Sequence, residues 1–143
     1  MIEFLEIDQD GCIRMLAAAS GHVGRIAVSA PGSPPVIRPV NYAYDDATHS
    51  VVFRSALGSK LHEGLRSGTA AFEIDGADLI DRTGWSVIIV GEVEEVTDPA
   101  ETDRIEEFKL EPWAPGVRTH WVRIRIRSAS GRRIVRVSDA MIG

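Results

Sequence analysis

Residues 39–61 read Pro-Val-Asn-Tyr-Ala-Tyr-Asp (39–45), a polar turn, then Val-Val-Phe-Arg-Ser-Ala-Leu-Gly-Ser-Lys-Leu (51–61). Val40, Tyr42 and Tyr44 alternate as along a strand with one buried face. Asp45, Asp46, Ala47 and Thr48 suit a hairpin turn, because Asp bonds its own backbone and tolerates turn geometry. Val51, Val52 and Phe53 form the return strand. Arg54, Ser55, Ser59 and Lys60 then crowd into seven positions around Gly58. Such a cluster at a strand-to-helix junction suits an anion. Free backbone N–H groups at a helix start favour negative charge, arginine adds a planar fork of donors, and lysine adds a point charge. The same residues also fit a plainer reading, with Gly58 a turn residue, Ser59 a helix cap, and Arg54 and Lys60 solvated.

Working outward, residues 1–8 read as an extended lead-in. Residues 12–19 carry helix formers with one apolar face, with Asp10 as the candidate cap and Gly21 as the stop. A first strand covers 24–29, and Pro31, Gly32, Pro34 and Pro35 make a turn. Val36 opens the next strand. Pro39 inside it lacks an amide donor, which predicts an edge or a bulge. A helix over 59–67 presents Leu57, Leu61 and Leu65 to the core and stops at Gly68. A strand over 69–75 closes at Gly76, and 77–83 form a polar connection. The run 84–96 is the longest β-rich stretch, and apolar residues of both parities at 87–90 predict burial on two faces. Asp98 and Pro99 announce a helix. Residues 112–116 are irregular. In 120–127, Val122, Ile124 and Ile126 share one face, while Trp121, Arg123, Arg125 and Arg127 share the other. Ile134, Val135 and Val137 extend the sheet after Gly131. Many short strands with few helices predict a closed or partly closed barrel.

The 143 residues suit one domain, and a 44% apolar, 26% charged composition is that of an ordinary globular protein. A net charge of −5 argues against general nucleic-acid binding. The single cysteine, Cys12, permits no internal disulfide, which fits a reducing compartment. It reads as a small buried filler. Neither a signal-peptide pattern nor a membrane-length apolar run is visible, so the cytoplasm is the expected location and no membrane partner is expected. His22, His49, His62 and His120 lack metal-site spacing, and no metal is expected. No hydrolase motif is present.

Five short motifs in order carry a family resemblance: Gly-Arg-Ile-Ala-Val (24–28), Pro-Val-Asn-Tyr (39–42), the 51–61 run, Ala-Phe-Glu-Ile-Asp (71–75) and Gly-Trp-Ser-Val…Gly-Glu-Val (84–93). Together the sequence resembles the pyridoxamine 5′-phosphate oxidase-like flavin-binding family, nearest its nitroimidazole-reductase-like branch, over roughly residues 10–137. The resemblance implies a mostly β, single-domain split β-barrel spanning 1–143. It also implies a homodimer with FMN at the subunit interface, and oxidoreduction of a small molecule.

By that resemblance Arg54, Ser55, Ser59 and Lys60, closed by Leu61, hold the phosphate. Pro39, Val40 and Asn41 pass along the isoalloxazine ring. Tyr42 and Phe53 either line the ring or fill the core, with Phe53 read first as core. Trp85 and Ser86 stand where the family draws contacts from the second subunit, and Trp85 also fits a core or interface aromatic. Trp85 and Trp121 are expected at the dimer interface. Arg132 and Arg133 stand near the pocket, as candidates for an anionic substrate or a cofactor tail. The long N-terminal segment and closing tryptophan motif of the vitamin B6 oxidases are missing, so vitamin B6 oxidation itself is not expected. A flavin-binding module without turnover, and the same fold holding deazaflavin F420 or haem, are the alternatives.

Overall fold

The computed structural model describes residues 1–56, 60–111, 113 and 120–137. Along the chain lie β1 (Ile2–Ile7), α1 (Gln9–Ala18), β2 (Val23–Val28), β3 (Val36–Asn41), β4 (Ala43–Asp45) and β5 (Ser50–Ser55). They are followed by α2 (Lys60–Leu65), β6 (Thr69–Asp78), β7 (Thr83–Val96), α3 (Pro99–Glu106) and β8 (His120–Arg136). Expectations for Leu57, Gly58, Ser59 and residues 112 and 114–116 fall outside the described residues.

The sheet runs β3-β2-β6-β7-β8-β5-β4, with β1 paired to the far half of β8. Its two ends, β3 and β4, are neighbours in sequence, separated by Tyr42 alone. A sheet whose first and last strands meet at one residue has to curl on itself, so the fold is a split β-barrel. The expected single strand through Val40, Tyr42 and Tyr44 is therefore two. Tyr42 is the corner, fully buried, and its hydroxyl donates to the Leu16 carbonyl at 2.7 Å. Pro39 lies on β3, an edge strand of this path, where its missing N–H breaks no ladder.

Two apolar clusters hold the barrel. The larger, inside, packs α1 (Cys12, Leu16) and α2 (Leu61, Leu65) against Ile26, Phe53, Phe72 and Ile124. Tyr42 meets Phe72 edge to face with centroids 4.9 Å apart. The smaller lies outside β5 and β8, where α3 covers them: Val52, Val96, Ile105, Leu110 and Trp121. Trp121 is thus buried within its own chain, and the expectation that it faces a second subunit is corrected. The sequence placed it on the outer face correctly, but α3 folds over that face.

Other boundaries shift for identifiable reasons. The cap of α1 is Asp8, not Asp10, its carboxylate accepting from the Gly11 amide at 2.7 Å. The lead-in is a true strand, paired to β8. Gly76 does not end β6. Instead Trp85 lies over it, so close that a Cβ there would be 2.7 Å from Nε1. Gly131 does not interrupt β8, because it admits the Cys12 sulfur, 2.8 Å from where a Cβ would sit. Ile88 and Val90 are exposed in the single chain, so 87–90 is buried on one face only. Asp98 caps α3 and Gly68 takes a positive φ after α2, as the sequence indicates.

Asp45 anchors α3 to the barrel. It is almost wholly buried and receives both guanidinium nitrogens of Arg104 at 2.9 and 2.7 Å, and the Thr48 hydroxyl at 2.7 Å. Burial alone would raise its pKa, but these bonds outweigh it and hold the carboxyl below its ordinary value. A depressed folded pKa gives stability that is present above the unfolded value, near 4, and lost as pH falls through the folded one. Arg104→Met strands a buried carboxylate and is expected to cost about 3 kcal/mol in urea unfolding at pH 7. Adding Asp45→Asn should recover part of that loss, and a double variant no better than Arg104→Met would contradict this account.

Candidate functional site

The candidate site forms where β3, β5 and α2 come together, since β3 packs beside both other elements. Gly64 makes the approach of α2 possible, because a Cβ there would stand 2.4 Å from Val28 Cγ2. The ring-edge candidates Pro39, Val40 and Asn41 and the anion candidates Arg54, Ser55 and Lys60 thus occupy adjoining elements. Among the described residues β3 pairs with β2 alone, which leaves its outer backbone groups for a ligand.

Within this set the side chains diverge. Arg54 points outward, with its guanidinium 4.5 Å from the centre of the Trp121 ring and a loose 3.8 Å ion pair to Glu106. Its Nε is buried without a hydrogen-bond partner among the described residues. Ser55, the next residue on the strand, faces inward with Phe53 and donates to the Ala56 carbonyl at 3.4 Å. The two side chains therefore lie on opposite faces of β5. Helix α2 has only six residues, too short for a strong dipole, so the cationic side chains must supply most of any anion affinity. Ser59 lies outside the described residues.

Asn41 is buried, its amide donating to the Gly21 carbonyl at 3.2 Å and its oxygen accepting from the Trp113 amide at 2.8 Å. Only its backbone remains for a ligand. The side chains of Tyr42, Phe53 and Leu61 belong to the core. His62 and His120, read as scattered, have ring centroids 5.8 Å apart, and His120 bonds Glu95 through Nδ1. His120 is the cross-strand partner of Ser55. Only the strand register, which sequence does not carry, reveals that neighbourhood.

Trp85, Ser86 and Arg132 line one cavity of about 640 Å³ together with Phe4, Asp78 and Ile134. Arg133, the cross-strand partner of Trp85, alternates to the other side of β8 from Arg132. It shares a cavity of about 650 Å³ with Trp85 and Met15, and lines another of about 520 Å³ beside Arg14. Phe4 was missed because a lead-in strand gave no reason to place it opposite Ile134.

Beside Pro39 runs the outer face of the sheet. Cross-strand register sets Pro39, Arg25, Glu73 and Ile88 in one row, and Ile37, Ala27, Ala71 and Val90 in the next. Arg25 joins Glu73 and Asp75, each at 2.7 Å. Ile37, Ile88 and Val90 stand exposed there. A planar ring laid along β3 would have a wall on one side only.

The family model described as pyridoxamine 5′-phosphate oxidase matches residues 8–133. An uncharacterised Mycobacterium tuberculosis protein is 35% identical over 138 residues, covering 93% of this chain and 87% of that protein. Among solved structures, an FAD-binding protein of Mycobacterium smegmatis superposes with a TM-score of 0.72 at 29% identity, covering 90% of this chain and 96% of that one. A structure described as a 5-nitroimidazole antibiotic resistance protein of Bacteroides thetaiotaomicron gives a TM-score of 0.73 over 94% and 89% of the two chains. At 12% identity that last likeness is one of fold alone.

Proposed function

Since the chain belongs to the pyridoxamine 5′-phosphate oxidase family, whose flavin-binding fold it shares, we propose that it binds FMN between two copies of itself and acts as an oxidoreductase on a small molecule other than vitamin B6. The observation that carries this reading is the junction of β3, β5 and α2. There the strand that carries Arg54, whose buried Nε has no hydrogen-bond partner among the described residues, stands beside an edge strand whose outer side pairs with no described strand. The guanidinium suits a phosphate and the edge strand the polar edge of a ring. Arg54 and Lys60 would hold the phosphate, the backbone of Val40 and Asn41 would meet the ring edge, and Pro39 would lie along its face.

A bound flavin supplies the hydride chemistry, and the protein supplies position and a dry surrounding. A second copy, placed on the outer face, would cover the exposed Ile37, Ile88 and Val90 and bring the cavity of Trp85, Ser86 and Arg132 to the ring. Light scattering is therefore expected to give twice the 15.6 kDa chain, with flavin or without it. A monomer at micromolar concentration that still binds FMN tightly would overturn the shared site.

The M. smegmatis relative favours a second reading, FAD in place of FMN. Deazaflavin F420 and haem remain alternatives for the same fold. Mass spectrometry of the ligand released from purified protein separates all four. Protein that is colourless, and whose fluorescence titration gives no flavin binding, would defeat the proposal. Bound flavin that no reductant and acceptor can cycle would point to a binding module without turnover.

A further inference from the structure

We propose that the tip of the β6–β7 hairpin is the knob of a two-fold pair, with Leu79 and Ile80 of one copy entering the cavity between the β2–β3 loop and α2 of the other. This rests on the two-copy reading above and names the contact that holds the copies together.

Leu79 and Ile80 are each 90% exposed, yet the tip that carries them is fixed. Asp78 Oδ1 accepts from the amides of Ile80 and Asp81 at 2.9 and 3.0 Å. Arg136 Nε donates to the Asp81 carbonyl at 2.9 Å. Two adjacent branched apolar side chains held out on a fixed turn form the kind of patch that marks an interaction site. The receiving cavity, about 330 Å³, is lined by Val28, Pro34, Pro35 and Ile37. Prolines present no N–H, so that wall asks nothing polar of its occupant.

Charge agrees with the match. Asp81 and Arg82 follow the knob directly, while Arg38 and Glu63 line the cavity. Asp81 against Arg38, and Arg82 against Glu63, give two opposite-sign pairs, and none of the four has an ion-pair partner among the described residues.

Register agrees as well. Ala27 faces Ala71, which sets Val28 level with Ala70, whereas the tip lies at 79–80. Knob and cavity are thus about 30 Å apart in one chain, at the strand rise of ~3.3 Å per residue. Their midpoint falls near Asp75 and its partner Ser86, beside Ile88. A two-fold axis lying parallel to the outer face above that point, and perpendicular to the line from knob to cavity, exchanges the two levels and sets the two outer faces against each other. Each knob then meets the partner's cavity, as a closed isologous pair requires, and the row of Ile37, Ile88 and Val90 is covered between them.

The test is a Leu79→Cys/Pro35→Cys double variant oxidised with diamide. Two thiols give one disulfide and the diamide takes up the two hydrogens. Cys12, wholly buried, stays silent. The 30 Å separation forbids a link within one chain, so non-reducing electrophoresis is expected to show a covalent dimer, and the two single variants are not. A dimer from Leu79→Cys alone would put tip against tip and overturn the proposal. So would a light-scattering dimer that never cross-links, with FMN binding intact, which leaves the two-copy site standing. A monomer overturns both. Independently, Leu79→Asp/Ile80→Asp should halve the mass while leaving the far-ultraviolet dichroism unchanged. A variant that stays dimeric contradicts the knob.

Discussion

Arg54→Ala and Lys60→Ala are each expected to weaken FMN binding by about 10- to 150-fold while leaving riboflavin binding almost unchanged. A hydrogen bond to a charged group is worth roughly 1.5–3 kcal/mol, and that range converts to this span of affinity. Riboflavin lacks the phosphate and so has nothing to lose. Arg54 carries the sharper version of the test, because its guanidinium is already oriented by Trp121 at 4.5 Å and is held only loosely by Glu106. Little rotamer freedom is left to lose when a phosphate arrives. Arg54→Lys should retain only part of the affinity, since an ammonium is a point charge without the planar fork. If fluorescence titration finds both alanine variants equal to the parent for FMN, the phosphate assignment is wrong. If riboflavin is weakened as strongly as FMN, the residues support the fold or the ring and not the phosphate.

Gly91→Ala is expected to be the most damaging small substitution in the sheet. A Cβ there would stand 1.9 Å from the Arg125 carbonyl oxygen and 2.8 Å from its carbon. Both are backbone atoms of the neighbouring strand and cannot rotate away. Gly91 also sits at the one-residue shift in register between β7 and β8, where Val90 faces Ser128 and Gly91 faces Ile126. An added methyl has to push β8 off β7 at the point where the ladder is already irregular. Overpacking of a core costs about 1–3 kcal/mol when side chains can yield, and more when backbone must move. An expected loss above about 3 kcal/mol is a large part of the 5–15 kcal/mol that holds such a domain. It should lower Tm by roughly 10 °C or more. Asp103→Ala, at an exposed position of α3, is the control and should cost little. A Gly91→Ala protein melting within a few degrees of the parent would mean that the strands part more easily than the geometry implies.

How much the sequence disclosed depended on how local each signal was. Asp98 followed by Pro99 announces α3 because cap and first turn are made from adjacent residues. Gly68 and Pro39 declare a helix end and an edge strand for the same reason. Gly76 was misread as a stop because its purpose is not local: like Gly131, which admits Cys12, it makes room for a side chain, Trp85, that arrives from elsewhere. Ile88 and Val90 carry a two-faced apolar pattern that a single chain does not bury. Trp121 was placed on the correct face of its strand, but periodicity contains no information about the helix that later covers it. The cluster at 54–60 was visible as composition. That Arg54 and Ser55 point to opposite faces of β5 follows from strand geometry and was open to the same reading.

β8 joins three partners: β7 along one edge, and β5 and β1 along the other. It is also the last of them to be made. While a ribosome is still building the chain, β7 and β5 are present with no strand between them, and β1 waits for a partner more than a hundred residues away. The barrel is therefore assembled in one late step, from pairings of high sequence separation, which is the slow regime of folding. Until then the nascent chain displays open strand edges and the apolar run 87–90, the features that invite pairing with other chains. Yield in a cell should consequently respond to translation speed and chaperone supply more than to the stability of the finished barrel.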